Sequence, residues 1–365
     1  MNSKEMINPR QFTILVILAT IGDAILVLPT VVSHVAMQDA WISTLIGLIL
    51  GLLIVLLFIK VGSLYPDLSF VQYILKIFGK TIGSIVVLFF LFYLFLSISA
   101  HTRELGDFIT TQILINTPIK VIHFMFITVI ILGVRCGLET IARASEILYP
   151  IVVVFLIILS TLVLPNIHLE WIRPIFANGF KPILNGALIA TAFPFMELVV
   201  FLMLLPSLTK QTKIKRSFLI GALIGGGILV VVVLLCILVL GEAATVRNIY
   251  PTFILARTIS IGNSIQRIEG LIAILWTITV YVKITVYAYA FHIGCVQLLK
   301  LNSYRTLIFP FGLILFASAV LISPNISYHN DIIATYWPYY DLTIALLLPL
   351  LLLTVFAFRK KFNSS

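Results

Sequence analysis

The stretch Ala19-Thr20-Ile21-Gly22-Asp23-Ala24-Ile25-Leu26-Val27-Leu28-Pro29 lies in the middle of a long apolar run, and Ile189-Ala190-Thr191-Ala192-Phe193-Pro194-Phe195-Met196-Glu197 lies in the middle of another. Glycine gives up more backbone freedom in a helix than any other residue, and proline removes a backbone donor, so each stretch predicts a break inside a segment otherwise fit to cross a bilayer. Each break falls about eleven residues into its run. No water reaches the freed N–H and C=O groups in lipid, so a broken helix persists only where it is buried in protein or lines a polar cavity. A matched pair of such helices points to a midplane site between them.

The flanking sequence agrees. The chain has 365 residues, 61% of them hydrophobic and only 10% charged, with a mean hydropathy of +1.16. A soluble domain carries roughly 25% charged residues because its surface must be solvated; this chain is built for lipid. The run from Gln11 to Val32 is too long for the apolar part of a signal peptide and precedes further apolar runs, so it reads as span 1. Nine more follow, at about Trp41–Ile59, Thr81–Thr111, Pro118–Val134, Glu146–Leu164, Pro182–Leu205, Ser217–Leu240, Ile268–Leu298, Tyr304–Ile322 and Asp341–Phe358. The breaks then fall in spans 1 and 6, the first members of two sets of five, and an odd number per set requires the sets to be inverted. The expectation is an all-α integral membrane protein forming a single transmembrane domain over 1–365, with a first repeat at about 11–164 and a second at about 182–358. Short helices are predicted at Ser69–Phe78 and Thr252–Ile261, and the pairs Gly47–Gly51 and Gly221–Gly225 predict close helix packing.

The net charge of +10 does not point to nucleic acid, because no basic stripe or aromatic-interleaved basic run carries it. Ten spans put both termini on one side. With the termini inside, 16 Lys and Arg face inward and 7 outward, which predicts cytoplasmic termini. No phosphate-binding loop, zinc-protease or nucleophile-elbow motif occurs, so neither enzymatic activity nor a cofactor or metal is expected. Cys136, Cys236 and Cys295 read as small core hydrophobes, and the histidines mostly as interfacial polar residues.

Three ionisable residues sharpen the site. Asp23 sits at the first break, Glu197 just beyond Pro194, and Lys283 lies mid-span in span 8. Charges in the hydrocarbon region are rare and face a cavity or a partner. Thr279, Lys283 and Tyr287 recur at i, i+4 and so share a face. The half-helix after each break offers N–H groups and the positive end of its dipole to an anionic group, whereas the half before it offers carbonyls to an ammonium or small cation. An amino acid fits those two poles, with Gly22, Asp23, Ala24, Thr191, Phe193, Pro194 and Phe195 as the expected ligand-binding residues and Asp23, Glu197 and Lys283 as a charge network. Arg103 and Glu104 read as an interfacial pair.

The order and spacing of several motifs add a likeness: the Gly22–Pro29 break, Asp39-Ala40-Trp41-Ile42 at span 2, Ile172-Arg173-Pro174 with Gly179 and Pro182 before span 6, the Phe193–Glu197 break, Tyr250-Pro251-Thr252, and Arg267-Ile268-Glu269 leading to Trp276. In these the chain resembles the B subunit of the spore germinant receptors of endospore-forming bacteria, a branch of the amino acid–polyamine–organocation transporter superfamily. The resemblance implies a five-plus-five inverted-repeat fold, with spans 1 and 8 side by side so that Asp23 and Lys283 pair. It also implies an integral subunit of the spore inner membrane that senses a small-molecule germinant beside an A subunit and a lipoprotein C subunit. The alternative is secondary active transport of an amino acid, which would be proton-coupled if Lys283 stands in for a lysine that span 5 lacks. Where the family has Gly-x-Gly at the first break this chain has Gly22-Asp23-Ala24, and where a glycine is expected at the second it has Phe195. Those departures imply a ligand larger than alanine or lacking a carboxylate.

Overall fold

A computed structural model describes residues 5–209, 211–259 and 268–362. The chain runs through α1 (Pro9–Ile21), α2 (Ala24–Ala36), α3 (Ala40–Gly62), α4 (Phe70–Phe78), α5 (Lys80–Phe108), α6 (Ile119–Cys136), α7 (Leu138–Leu162), α8 (Phe180–Phe195), α9 (Ile214–Arg247), α10 (Pro251–Arg257), α11 (Glu269–Leu299), α12 (Ile308–Leu321), α13 (Ile326–Asp341) and α14 (Leu348–Phe362). Among the described residues nine helical runs are long and apolar enough to cross a membrane, and one of them, Ala24–Gly62, bends at a 3-10 hinge over Met37–Asp39. That run holds the second half of span 1 and all of span 2. The 13-residue α1 supplies the first half of span 1, being only about 20 Å long against a hydrocarbon core of about 30 Å. The result is the ten-span fold with helices broken in spans 1 and 6.

Both ends of the described chain meet at one end of the bundle. Ile7 bridges to Leu208, Tyr304 donates to Glu5 at 3.0 Å, and Phe356 packs edge-on against Tyr65 at 5.7 Å. Span 1 therefore starts at this N-terminal end and span 6 at the opposite end, so corresponding members of the two sets run in opposite directions.

The broken spans occupy the interior. Of the most apolar stretch in Phe180–Met203, 89% is buried, against 28% for Ile119–Cys136 and 22% for Leu138–Asn166. α8 packs on α2 and α3, and α1 on α9 and α7. Small residues allow the close approach: Gly47 faces Ala190, Gly51 and Gly226 face the ring of Phe195, Gly221 faces Val16 and Gly225 faces Thr20. The outer helices expose Phe89, Phe92, Leu313 and Leu321, which suit lipid and not water.

Several boundaries differ from those expected of the sequence where polar residues conceal a helix. α7 begins at Leu138 and not Glu146, because the exposed Glu139 and Arg143 pair with each other one turn apart at 2.6 Å. The last span begins at Ile326 and not Asp341; the Asn325 side chain caps it by accepting from the Tyr328 N–H at 2.9 Å, and the polar turns beyond the cap lower its hydropathy. α9 continues to Arg247 across a kink at Gly241. The outer short helix is Pro251–Arg257; Ser260 and Ile261 of the expected range, with Lys4, Lys210 and Arg267 of the charge tally, lie outside the described residues. Cys136, taken for a core residue, is exposed at the end of α6.

A side chain at Gly51 would overlap the Phe195 ring. Gly51→Ala is expected to destabilise the protein by about 1–3 kcal/mol through overpacking, and Phe195→Leu to restore part of that loss. Thermal unfolding in detergent micelles checks it; simple additivity of the two single changes would contradict the packing described.

Candidate functional site

At the first break the helix stops because Gly22 takes φ 27° and ψ −125°. A Cβ there would lie 2.7 Å from Lys283 Cδ and 2.8 Å from the Ala19 carbonyl, so only glycine lets the lysine stem through. The Gly22 carbonyl left free by the break accepts a hydrogen bond from Thr279 Oγ1 at 2.9 Å. At the second break Phe193 leaves helical geometry with φ −107° and ψ 95°. The chain then continues as a 3-10 helix over Met196–Met203, longer than the usual 3–4 residues of such a helix. Nothing in the sequence pattern signals this change of pitch. Tyr287 donates to the Glu197 carbonyl at 2.5 Å. The polar stripe of α11 thus meets both breaks, Thr279 at the first and Tyr287 at the second.

Between them, the Lys283 ammonium contacts Asp23 Oδ1 and Glu197 Oε2 together. All three side chains are about 1% exposed. The other Glu197 oxygen accepts from Trp337 Nε1 at 3.0 Å, and His101 Nδ1 lies 3.4 Å from Asp23 Oδ2. Buried charges persist when they are paired and hydrogen-bonded; Glu197 meets that condition at both oxygens, whereas Asp23 Oδ2 has only the approach of His101 and no hydrogen-bond partner among the described residues. Asp23, His101 and Glu197 each bring a ligand-type atom within 4.8 Å of the others. The fixed ammonium in contact with both carboxylates would repel a metal ion there, so the donor set does not suit one.

The structure brings Gly22, Asp23, Phe193, Glu197 and Lys283 together; the Lys283 ammonium lies 5.6 Å from the centre of the Phe193 ring. Ala24 and Pro194 are buried in the two half-helices. Thr191 and Phe195 turn away towards α3: Thr191 donates to the Ala187 carbonyl at 2.7 Å and faces that of Gly47, and the Phe195 ring fills the notch between Gly51 and Gly226. Two residues along a helix are about 200° of rotation, so Phe193 and Phe195 face opposite ways.

Arg103 does not pair with Glu104. Successive helical residues do not face each other, and Arg103 instead bonds Asp107 one turn on at 2.9 Å and the Ser323 carbonyl at 2.5 Å. His101, His123, His292 and His329 are buried and not interfacial. Spacing offered a signal for Arg103–Asp107; nothing local distinguished Trp337 from the other aromatic residues beside it.

Phe193 also lines a cavity of about 520 Å³ that opens at the end of the bundle opposite the N-terminus. Val27 and Val31 of α2, Ile189 of α8 and Glu104 of α5 form its walls, with Arg247 and Asp331 at its mouth.

Removing the ammonium leaves two buried carboxylates unpaired, whereas neutralising either carboxylate leaves the lysine one partner. Lys283→Met is therefore expected to cost about 3–5 kcal/mol, more than Asp23→Asn or Glu197→Gln. Asp23→Asn combined with Lys283→Met should recover part of the loss, and adding Glu197→Gln should recover more, with a coupling of about 0.5–3 kcal/mol. Chemical unfolding of these variants in micelles reads the cycle, and strictly additive losses would refute the shared contact.

A profile of the spore germination proteins matches residues 6–327. The chain is 28% identical over 367 residues to spore germination protein KB of Bacillus subtilis (strain 168), covering 98% of this chain and 96% of that protein. Spore germination protein YndE of the same organism is 25% identical over 358 residues, covering 97% of each. The crystal structure of MhsT in complex with L-phenylalanine has a similar fold, with a TM-score of 0.68 at 16% sequence identity over 98% of this chain and 99% of that one.

Proposed function

The chain belongs to the spore germination protein family, and from that membership we propose that it is a germinant-receptor subunit. It binds a small molecule, an amino acid or similar, beside the broken spans 1 and 6 and passes the signal on to trigger germination. It works in the spore inner membrane with its termini cytoplasmic, next to a receptor A subunit and a lipoprotein C subunit. The observation that carries this reading is the tethered ammonium of Lys283 between Asp23 and Glu197. A symporter coupled to a metal ion needs a cation that arrives and leaves with each cycle. An ammonium on a side chain holds the two breaks to α11 and does not leave, which argues against coupling to a metal ion and suits a device that responds to binding. The relatives KB and YndE are named spore germination proteins, which supports a part in germination.

A second reading, proton-coupled transport of an amino acid, is favoured by one observation: His101, Glu104 and Asp107 form a buried titratable line along α5, from the Asp23 carboxylate towards the end of the bundle opposite the N-terminus.

Two measurements test the proposal. In proteoliposomes, a panel of labelled amino acids, sugars and nucleosides should show saturable binding by at least one member and no concentrative uptake; uptake against a gradient would establish the transporter reading instead. Tags at Met1 and after Ser365 should both be accessible only from the cytoplasmic side in sealed vesicles, and exposure of either on the far side would overturn the proposed orientation.

A further inference from the structure

Glu104 stands apart from the ion pairs already described. It lies on α5, is about 5% exposed, and forms part of the wall of the cavity above Phe193. Its Oε2 is 3.9 Å from His101 Nδ1, beyond hydrogen-bonding distance, and its Oε1 has no hydrogen-bond partner among the described residues. A buried acceptor left without a donor costs free energy, more so when it carries charge. The surroundings deepen the imbalance. Asp23, Glu197, Asp341 and Glu104 are four buried carboxylates near one buried ammonium, that of Lys283; Lys283 is committed to Asp23 and Glu197, and Asp341 accepts from the Tyr93 hydroxyl at 2.9 Å. A positive charge delivered to Glu104 would give it the partner it lacks.

The remaining walls specify what that charge is attached to. Val27, Val31, Ile189, Phe193 and Ile333 make most of the lining apolar, with Thr30, His34, Asn248 and Asn330 as its neutral polar members, so the cavity favours a ligand with a hydrocarbon body over one that carries hydroxyls all round. The volume of about 520 Å³ lies in the range of small-molecule sites, roughly 300–1,000 Å³. At the mouth, the exposed Arg247 can meet a carboxylate without requiring one.

We propose that this cavity is the ligand site, that Glu104 is its ammonium acceptor, and that the ligands are amines and amino acids with an aliphatic or aromatic body. This rests on the receptor reading above and narrows it: the ammonium is obligatory, the carboxylate is not. Phe193 is then the floor shared by the ligand and the Lys283 network, and it couples occupancy of the cavity to the two breaks. The ligand itself does not touch Asp23.

The test uses the full chain in lipid nanodiscs and three probes with one carbon skeleton: L-leucine, isopentylamine, which lacks the carboxylate, and 4-methylpentanoate, which lacks the amine. Labelled leucine should bind saturably, isopentylamine should displace it, and 4-methylpentanoate should not. Glu104→Gln should weaken both amines at least about tenfold, with Glu104→Asp retaining part of the affinity. Val27→Phe, on the facing wall, should exclude both amines by filling the cavity, which provides a second reading of the same site should Glu104→Gln fail to fold. Displacement by 4-methylpentanoate as strong as by isopentylamine would overturn the proposal. So would leucine binding that neither substitution alters, although that result would leave the receptor reading standing with its site elsewhere. Absence of amine binding alongside saturable binding of a sugar or nucleoside would likewise remove this proposal and keep the receptor.

Discussion

The contact of one lysine with two carboxylates holds the centre of this protein together. A charged residue at the middle of a bilayer costs on the order of 2.5–3.5 kcal/mol even on lenient insertion scales, and Asp23, Glu197 and Lys283 bring three. They are tolerable because the three come from different elements and meet: Asp23 from the break between α1 and α2, Glu197 from the 3-10 continuation of α8, and Lys283 from α11. The same contact resolves the backbone problem of the two breaks. Lys283 reaches the carboxylates only if α11 lies against both breaks, and that placement brings Thr279 to the Gly22 carbonyl and Tyr287 to the Glu197 carbonyl. Thr279 and Tyr287, about two turns apart on a single helix, thus bond backbone carbonyls at the breaks of two other helices.

Packing around this centre is set by where side chains are missing. Gly22 has no Cβ, and the aliphatic stem of Lys283 runs through the space a Cβ would fill; Gly51 and Gly226 have none, and the Phe195 ring enters between α3 and α9. Phe195 is therefore an anchor that fixes α8 laterally, while Phe193, on the other side of the non-helical turn, faces both the lysine and the cavity. A bulky residue at 195 in place of a glycine strengthens the grip of α8 on α3 without narrowing that cavity.

The fold was legible in the sequence because its causes are local and repeated. Apolar runs of spanning length, two interrupted by Gly22 and by Pro194 at matching depth, are sufficient to call for ten spans in two inverted sets, and small residues spaced four apart mark close approaches. The meeting of Asp23, Glu197 and Lys283 was partly legible, since each was a lone charge in an apolar run and each required a partner. The features that were not legible depended on rotation about a helix axis. Which of Phe193 and Phe195 faces the cavity and which faces α3 depends on how α8 is rotated against its neighbours, and hydropathy carries no record of it. Glu104 beside Arg103 looked like a pair on paper, yet the 3.6-residue turn sends the two side chains to different neighbours. His101 and Trp337 belong to the charged centre because α5 and α13 happen to pass it, a fact of tertiary arrangement alone.

The two ends of the bundle are unlike, and the difference bears on how binding is felt. At the N-terminal end the chain start is stitched down: Ile7 exchanges backbone hydrogen bonds with Ser207 and Thr209 at 2.8 and 3.0 Å, Glu5 accepts from the Leu138 N–H and from Tyr304, and Gln11 donates to Glu146 at 2.9 Å. These ties join α1 to the start of α7, to the chain just after the 3-10 segment, and to the turn before α12. At the other end the cavity above Phe193 is open. A ligand that settles there meets a ring that lies 5.6 Å from the Lys283 ammonium, and Lys283 in turn grips both breaks. Any displacement of α1 at its break acts on the stitched end through a rigid half-helix of 13 residues. The molecule thus contains a continuous packed connection from an accessible cavity to a closed far end, through one aromatic ring and one ion-paired lysine.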